Sequence, residues 1–166
     1  MPKVQRITPC LWFDDQAEEA VKFYTGIFKN SKILETSRYG EAGKEIHGKK
    51  PGTVMTVSFE LDGQAFTALN GGPIFKFNEA VSLQVACETQ QEVDHYWQKL
   101  SDGGDPSAQQ CGWLKDRYGL SWQVVPTVLP RLMTDPDHAK TQRVMTAVLQ
   151  MKKIQIDELK RAARGT

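Results

Sequence analysis

Three histidines, three cysteines and the run CGWLKDRYGLSWQVVP over 111–126 hold most of the side chains in this sequence that could do chemistry. A thiolate nucleophile at Cys111 needs a cation or a helix start beside it, and the sequence offers Lys115 and Arg117. Cys10 lies in an apolar run and reads as inert. The thiols Cys10, Cys87 and Cys111 are odd in number, far apart and without CxxC spacing. Neither a disulfide framework nor a zinc knuckle is suggested, and reduced thiols fit a reducing compartment. His47 falls in a glycine-rich stretch, His95 on a helical stretch and His138 near the start of a tail helix, so none has a metal-ligand spacing. Gly71-Gly72 follows a strand but runs into Pro73, and no glycine-rich turn opens a helix after a first strand. A doubly wound cradle for S-adenosylmethionine is therefore not expected.

Asp116 and Gly119 suit a short bulged hairpin, which makes Trp113 and Trp122 cross-strand or diagonal neighbours, worth about 0.2–1 kcal/mol. Alternation sets Gln123 and Trp122 on opposite faces, one of them lining a ligand surface.

The elements that must position these groups follow from periodicity. Residues 7–13 (ITPCLWF) read as a buried strand ending at Asp14-Asp15, either of which can cap the amphipathic helix AEEAVKFYTGIF. Residues 31–39 alternate as a half-buried strand, and 40–52 read as a mobile, charged, glycine-rich loop. Residues 53–61 and 64–70 read as strands joined by Asp62-Gly63, a two-residue hairpin signal. The order then repeats: a strand over 81–87, a helix over TQQEVDHYWQKL stopped by Asp102-Gly103-Gly104, weaker strands at 107–110 and 112–115, and a closing strand over 121–125. Aligning the halves matches Asp15 with Glu88, and Glu19, Phe23 and Tyr24 with Glu92, Tyr96 and Trp97. Beyond 131, Thr134 or Asp135 is expected to cap a helix with Val144, Met145, Val148 and Leu149 on one face, and a second helix follows over 156–163. This tail either covers the core or forms a subunit interface.

At 166 residues the chain can bury roughly 70% of its unfolded surface in one core. A net charge of +1 gives no footprint for nucleic acid, the apolar run at 81–86 is too short to span a bilayer, and the first residues lack a signal-peptide core. A cytoplasmic protein with small-molecule partners is expected, with no nucleic-acid or membrane partner.

With these elements in order, the sequence resembles the vicinal oxygen chelate superfamily (glyoxalase, bleomycin resistance and dihydroxybiphenyl dioxygenase proteins), in its PhnB-like branch. That branch is often labelled a 3-demethylubiquinone-9 3-methyltransferase domain. The similarity rests on ITPCLWF, on Ala17-Glu18-Glu19-Ala20 through Phe23-Tyr24 and Ile27-Phe28, on Phe66-Thr67-Ala68-Leu69-Asn70-Gly71-Gly72-Pro73, and above all on Cys111 to Asp116 with Gly119 and Trp122 to Pro126. The resemblance implies an α+β fold of two βαβββ modules, about 1–73 and 78–130, forming a curled mixed-sheet cup. It implies a single domain over 1–130 with a helical extension over 131–166. Its enzymes hold a divalent metal through one residue near the start of each half's first strand and one on each half's last strand. Those places here are Thr8 or Pro9, Thr67 or Ala68, Val81 or Ser82, and Gln123, and Gln123 alone could ligate. The expectation is a homodimer, without metal or other cofactor, that binds a small partly apolar metabolite or toxic compound. Thr8, Cys10, Trp12, Thr67, Ser82, Trp113 and Gln123 would line the site, with 40–52 as a lid. The alternatives are a metal-dependent isomerase, lyase or dioxygenase, and a dimeric interaction module; a methyltransferase is not expected.

Overall fold

The structure, a computed structural model, describes residues 4–165 and divides into two compact units, Met1–Lys76 and Phe77–Thr166. The outermost limits of the ranges 1–130 and 131–166 lie outside the described residues. The fold is α+β, with two mixed sheets of four and three strands, neither of them closed, plus helices.

The first unit runs β1 (Cys10–Phe13), α1 (Ala17–Ile27), β2 (Lys32–Arg38), α2 (Lys44–His47), β3 (Val54–Leu61) and β4 (Gln64–Asn70), with strand order β1-β4-β3-β2. β1 lies parallel to β4, and the other pairings are antiparallel. Period-2 alternation decides the layers. Leu11, Phe13, Val57, Phe59, Leu61, Phe66 and Ala68 are buried beneath Ala17, Ala20, Val21, Tyr24 and Ile27 of α1. The intervening residues face the opposite way and stay exposed or half-buried. The Asp62-Gly63 hairpin is as expected, with φ of 48° and 77° at its two central residues, the signature of a tight two-residue turn.

Two local expectations are corrected. Neither Asp14 nor Asp15 caps α1; its N-cap is Gln16, whose side chain makes no capping bond, and the Ala17 amide donates to Oδ1 of Asn70 at 2.8 Å. The stretch 40–52 contains the short helix α2, bounded by Gly43 and Gly48 in the left-handed conformation. It is tied down by the Gly52 amide donating to Tyr39 O and by the His47 ring packing tilted against Tyr39, with ring centroids 4.5 Å apart.

The second unit runs β5 (Ser82–Cys87), α3 (Gln90–Ser101), a 3-10 turn (Pro106–Ala108), β6 (Trp113–Lys115), β7 (Ser121–Pro126), α4 (Val128–Met133), α5 (His138–Leu149) and α6 (Ile156–Arg164), with strand order β5-β7-β6. β5 lies parallel to β7, as β1 does to β4, so the repeat is real at the level of topology. Thr89 and Glu92 close a capping box at the start of α3. The expected strand at 107–110 is a 3-10 turn with one isolated bridge, Gln110 to Trp113. Pro106 lacks the amide a ladder needs, and the Asp105 carboxylate takes both the amide and the hydroxyl of Ser107, which fixes a turn.

In the tail, Asp137 caps α5 by accepting from the Lys140 amide, whereas Thr134 ends α4. Val144 and Val148 are buried with Met151, Ile154 and Leu159 in a core of their own; Met145 and Leu149, expected on the same face, are exposed at 38% and 54%. No helix among the described residues is long and apolar enough to cross a membrane.

Candidate functional site

Each sheet leaves one face free of its own helix, and the expected ligand residues fall on those faces. In the first unit Cys10 and Thr67 are register partners on parallel strands, so their side chains point the same way, and Trp12 lies two residues along on that face. Thr67 in turn faces Ser58 across the antiparallel pair, and Thr56 and Ser37 bond hydroxyl to hydroxyl at 2.5 Å. The result is a row of hydroxyls crossing the sheet beside a thiol and an indole. Thr8 precedes β1 and is exposed. Cys10 is exposed, although partial burial of its thiol raises its pKa.

Trp12 explains the glycine pair that follows β4. Its Nε1 donates to Gly72 O at 2.8 Å, its ring meets Phe75 edge-on at 4.9 Å, and a Cβ on Gly71 would come within 2.2 Å of the indole. Gly71-Gly72 is therefore a slot for a tryptophan.

In the second unit Gln123 is the hub of the open face. Its Nε2 donates to Ser82 Oγ at 2.8 Å, its Oε1 accepts from Gln84 Nε2 at 3.2 Å, and Trp113 is its register partner on β6. Ser82, Trp113 and Gln123 are thus brought together. Trp122 is not part of this group. It pairs in register with Leu114, is 2% exposed, and points to the side opposite Trp113, so the two tryptophans are not the cross-strand or diagonal neighbours expected. The parity of the turn decides this: register partners across this hairpin are an even number of residues apart, and an odd separation would have been needed to align the two tryptophans.

The hairpin 113–126 is held from inside by Asp116. This buried carboxylate accepts from Trp122 Nε1 at 2.8 Å, from the Tyr118 amide at 2.8 Å and from the Leu120 amide at 3.1 Å, while its own carbonyl accepts from Gly119 N. Gly112 has φ +84°, and a Cβ added there would come within 3.0 Å of Val124 O and 3.1 Å of the Ile154 side chain. The motif is a structural staple, and Trp113, Lys115, Ser121 and Gln123 share the face opposite Leu114 and Trp122.

Two hollows escaped sequence reasoning. One of about 350 Å³ is lined by Glu79, Gln110, Cys111, Trp113, Lys115 and Ser121, among others. Lys115 Nζ is ion-paired with Glu79, whose carboxyl is held below its ordinary pKa chiefly by the hydrogen bond from that ammonium. Alternation places Lys115 and Ser121 on one face, but Glu79 comes from a segment with no periodicity to reveal it. The second, of about 480 Å³, lies in the first unit among Asp15, Glu18, Arg38, Lys49, Lys50 and Asn70. Lys49 Nζ there donates to Asp14 O at 3.2 Å and Arg38 to Gly52 O at 2.9 Å. Its charges come from three separate segments.

A divalent metal is the group this fold suggests, and the donor set does not fit one. Of the four places where ligands would be sought, three carry hydroxyl, aliphatic or proline side chains, and both polar ends of the Gln123 amide are already bonded. Among the described residues no three His, Cys, Asp or Glu side chains converge. The histidines are engaged elsewhere: His47 accepts from the Lys49 amide, His95 lies edge-on to Tyr96, and His138 opens α5. Cys87 is buried, its thiol pushed up to about 12 by burial and by the charge of Glu92.

Comparison with known proteins agrees with this architecture. The family described as 3-demethylubiquinone-9 3-methyltransferase matches residues 5–125. A PhnB protein from Bacillus cereus is similar at 40% identity over 74% of this chain and 100% of that one, with a TM-score of 0.62. Protein PA1353 from Pseudomonas aeruginosa shares 18% identity over 74% of this chain and 98% of its own, with a TM-score of 0.56. The fosfomycin resistance protein FosX from Listeria monocytogenes shares 15% identity over 80% of this chain and 98% of that one, at a TM-score of 0.53. The last two show likeness of fold alone. No match was found among the curated proteins.

Proposed function

Since this chain belongs to the 3-demethylubiquinone-9 3-methyltransferase family, within the PhnB-like vicinal oxygen chelate proteins, we propose that it binds a small, partly apolar molecule without a metal. The observation that carries this reading is the Gln84–Gln123–Ser82 relay, in which the side chain at the ligand-bearing position of the last strand is already spent on neutral partners. Beside it, Trp113 supplies an apolar wall. Neutral hydroxyls, amides and indoles orient a guest by hydrogen bonds and apolar contact and do not polarise it as a cation would. In the first unit the matching contacts are Thr8, Cys10, Trp12 and Thr67. The protein works as a cytoplasmic homodimer on this reading, with its polypeptide expected at 18.7 kDa per subunit.

Methyl transfer is not part of the proposal, because the one glycine pair after a strand is accounted for by Trp12. The test is calorimetric titration with nickel, zinc, manganese and ferrous ions, alongside native mass spectrometry of the protein as purified. Retention of a small organic adduct with no metal uptake below the millimolar range is expected. Micromolar uptake of any of these ions would instead support a metal-dependent isomerase, lyase or dioxygenase. Saturable binding of S-adenosylmethionine would restore the methyltransferase.

A further inference from the structure

The cavity of about 350 Å³ in the second unit contains the one feature of the open faces that the proposed binding role leaves without a use. Ser121 Oγ is fully buried and has no hydrogen-bond partner among the described residues, although Ser121 lines the cavity. Leaving a buried hydroxyl unbonded is costly, so its retention there points to a guest that reaches it. Its register partner on β6 is Lys115. Side chains directly opposite on antiparallel strands have Cβ atoms about 5 Å apart, so Lys115 and Ser121 leave the sheet side by side on one face, and both line the cavity.

The sign of that guest follows from which member of the Lys115–Glu79 pair can leave. Lys115 is on a strand with its side chain 27% exposed, whereas Glu79 stands in the segment before β5 with its side chain 63% exposed. A surface carboxylate returns to water at little cost, but a half-buried ammonium left alone does not. Trp113, two residues along β6 on the same face, lies about 7 Å away and with Ala108 and Cys111 provides the apolar flank.

We propose that this cavity takes a small arylalkyl carboxylic acid, whose carboxylate replaces that of Glu79 on Lys115 and accepts from Ser121 Oγ while its ring lies against Trp113. This rests on the small-molecule reading above and names the ligand class. Three probes decide it by calorimetry: 3-phenylpropionate, the uncharged 3-phenylpropanol, and acetate. The acid binds at least tenfold more tightly than either of the others, and it slows iodoacetamide labelling of Cys111 while leaving Cys10 unchanged. Lys115→Met abolishes the preference for acid over alcohol. Glu79→Gln tightens acid binding several-fold, because the internal competitor is gone. Ser121→Ala weakens the acid several-fold without lowering the melting temperature, which separates a binding role from a packing one. Equal binding of acid and alcohol, unaffected by Lys115→Met, overturns the acid assignment and leaves the small-molecule reading standing. No binding of any probe at 10 mM also overturns it, and the small-molecule reading falls with it only if native mass spectrometry finds no adduct.

Discussion

The two sheets start from the same strand-helix opening and end their antiparallel edges differently. The first finishes with a full strand of its own, β2, which is exposed along nearly all its length. It protects that edge by register breaks between Ile33 and Thr36 and between Ser37 and Arg38, and by the charges of Lys32, Glu35 and Arg38. Bulges and charge discourage another chain from adding to an edge. The second has no such strand. Its corresponding segment is the 3-10 turn, and at the start of β6 the amides of Cys111 and Gly112 donate to the carbonyls of Met151 and Lys152 in the tail. Gln110 Nε2 reaches Leu149 O and Gln90 bonds to Ile154 and Ile156, so the tail is stitched to the sheet and to α3 together. One repeat guards its edge with sequence, and the other covers it with chain.

The largest break in this contrast comes from ending the chain at Thr127. The second unit should lose amide-exchange protection throughout while the first keeps its slow-exchanging core. Ile154→Ala is the single-residue version: Ile154 is fully buried in the tail cluster with Val144, Val148, Met151 and Leu159, so denaturant unfolding should register a loss of roughly 2–5 kcal/mol. Asp116→Asn comes next. It keeps the shape but sets an amide N–H or a neutral oxygen against three donors, and unfolding should show a loss of about 2–3 kcal/mol. Gly71→Ala tests the first unit, since the added methyl must displace the Trp12 ring. A loss of about 1–3 kcal/mol is expected, with a shift in tryptophan emission and no change in protection of the second unit.

The smallest effect is electrostatic. The hydrogen bond from Lys153, at 2.5 Å, holds the Asp94 carboxyl below its ordinary pKa and ties the tail to α3. A depressed folded-state value stabilises above the unfolded value of about 3.9 and is lost as pH falls through the folded one. Tail protection should therefore decline below pH 4, and Lys153→Met should flatten that decline.

Much of this was legible in the residues. Periodicity located the helices α1, α3 and α5 and the opposed facing of Trp122 and Gln123, and turn chemistry located Asp62-Gly63. Sequence reasoning failed where a partner is distant or where parity depends on a turn. The cap of α1 comes from Asn70, 53 positions away, while the two nearby aspartates only looked suitable. For α5 the sequence pointed to Thr134 or Asp135, whereas Asp137 holds the cap; all three are good cap formers, and local propensity does not rank them. Trp113, Gln123 and Ser82 were named from the hairpin motif and the family resemblance, and their meeting on one face is a matter of strand register and the Gln123–Ser82 hydrogen bond. Glu79 and the unbonded Ser121 hydroxyl were not, since each is defined by what surrounds it.

Asn70 ends β4, and its groups answer to four segments at once. Its side chain holds the first turn of α1 and the carbonyl of Val54, its backbone oxygen accepts from the Tyr39 hydroxyl, and it pairs with Phe13. A shift of the 40–52 stretch, transmitted through Tyr39, therefore cannot be absorbed locally. It must be shared with the helix start and the central strand, so this corner of the first unit moves as a gear train and not as a free flap.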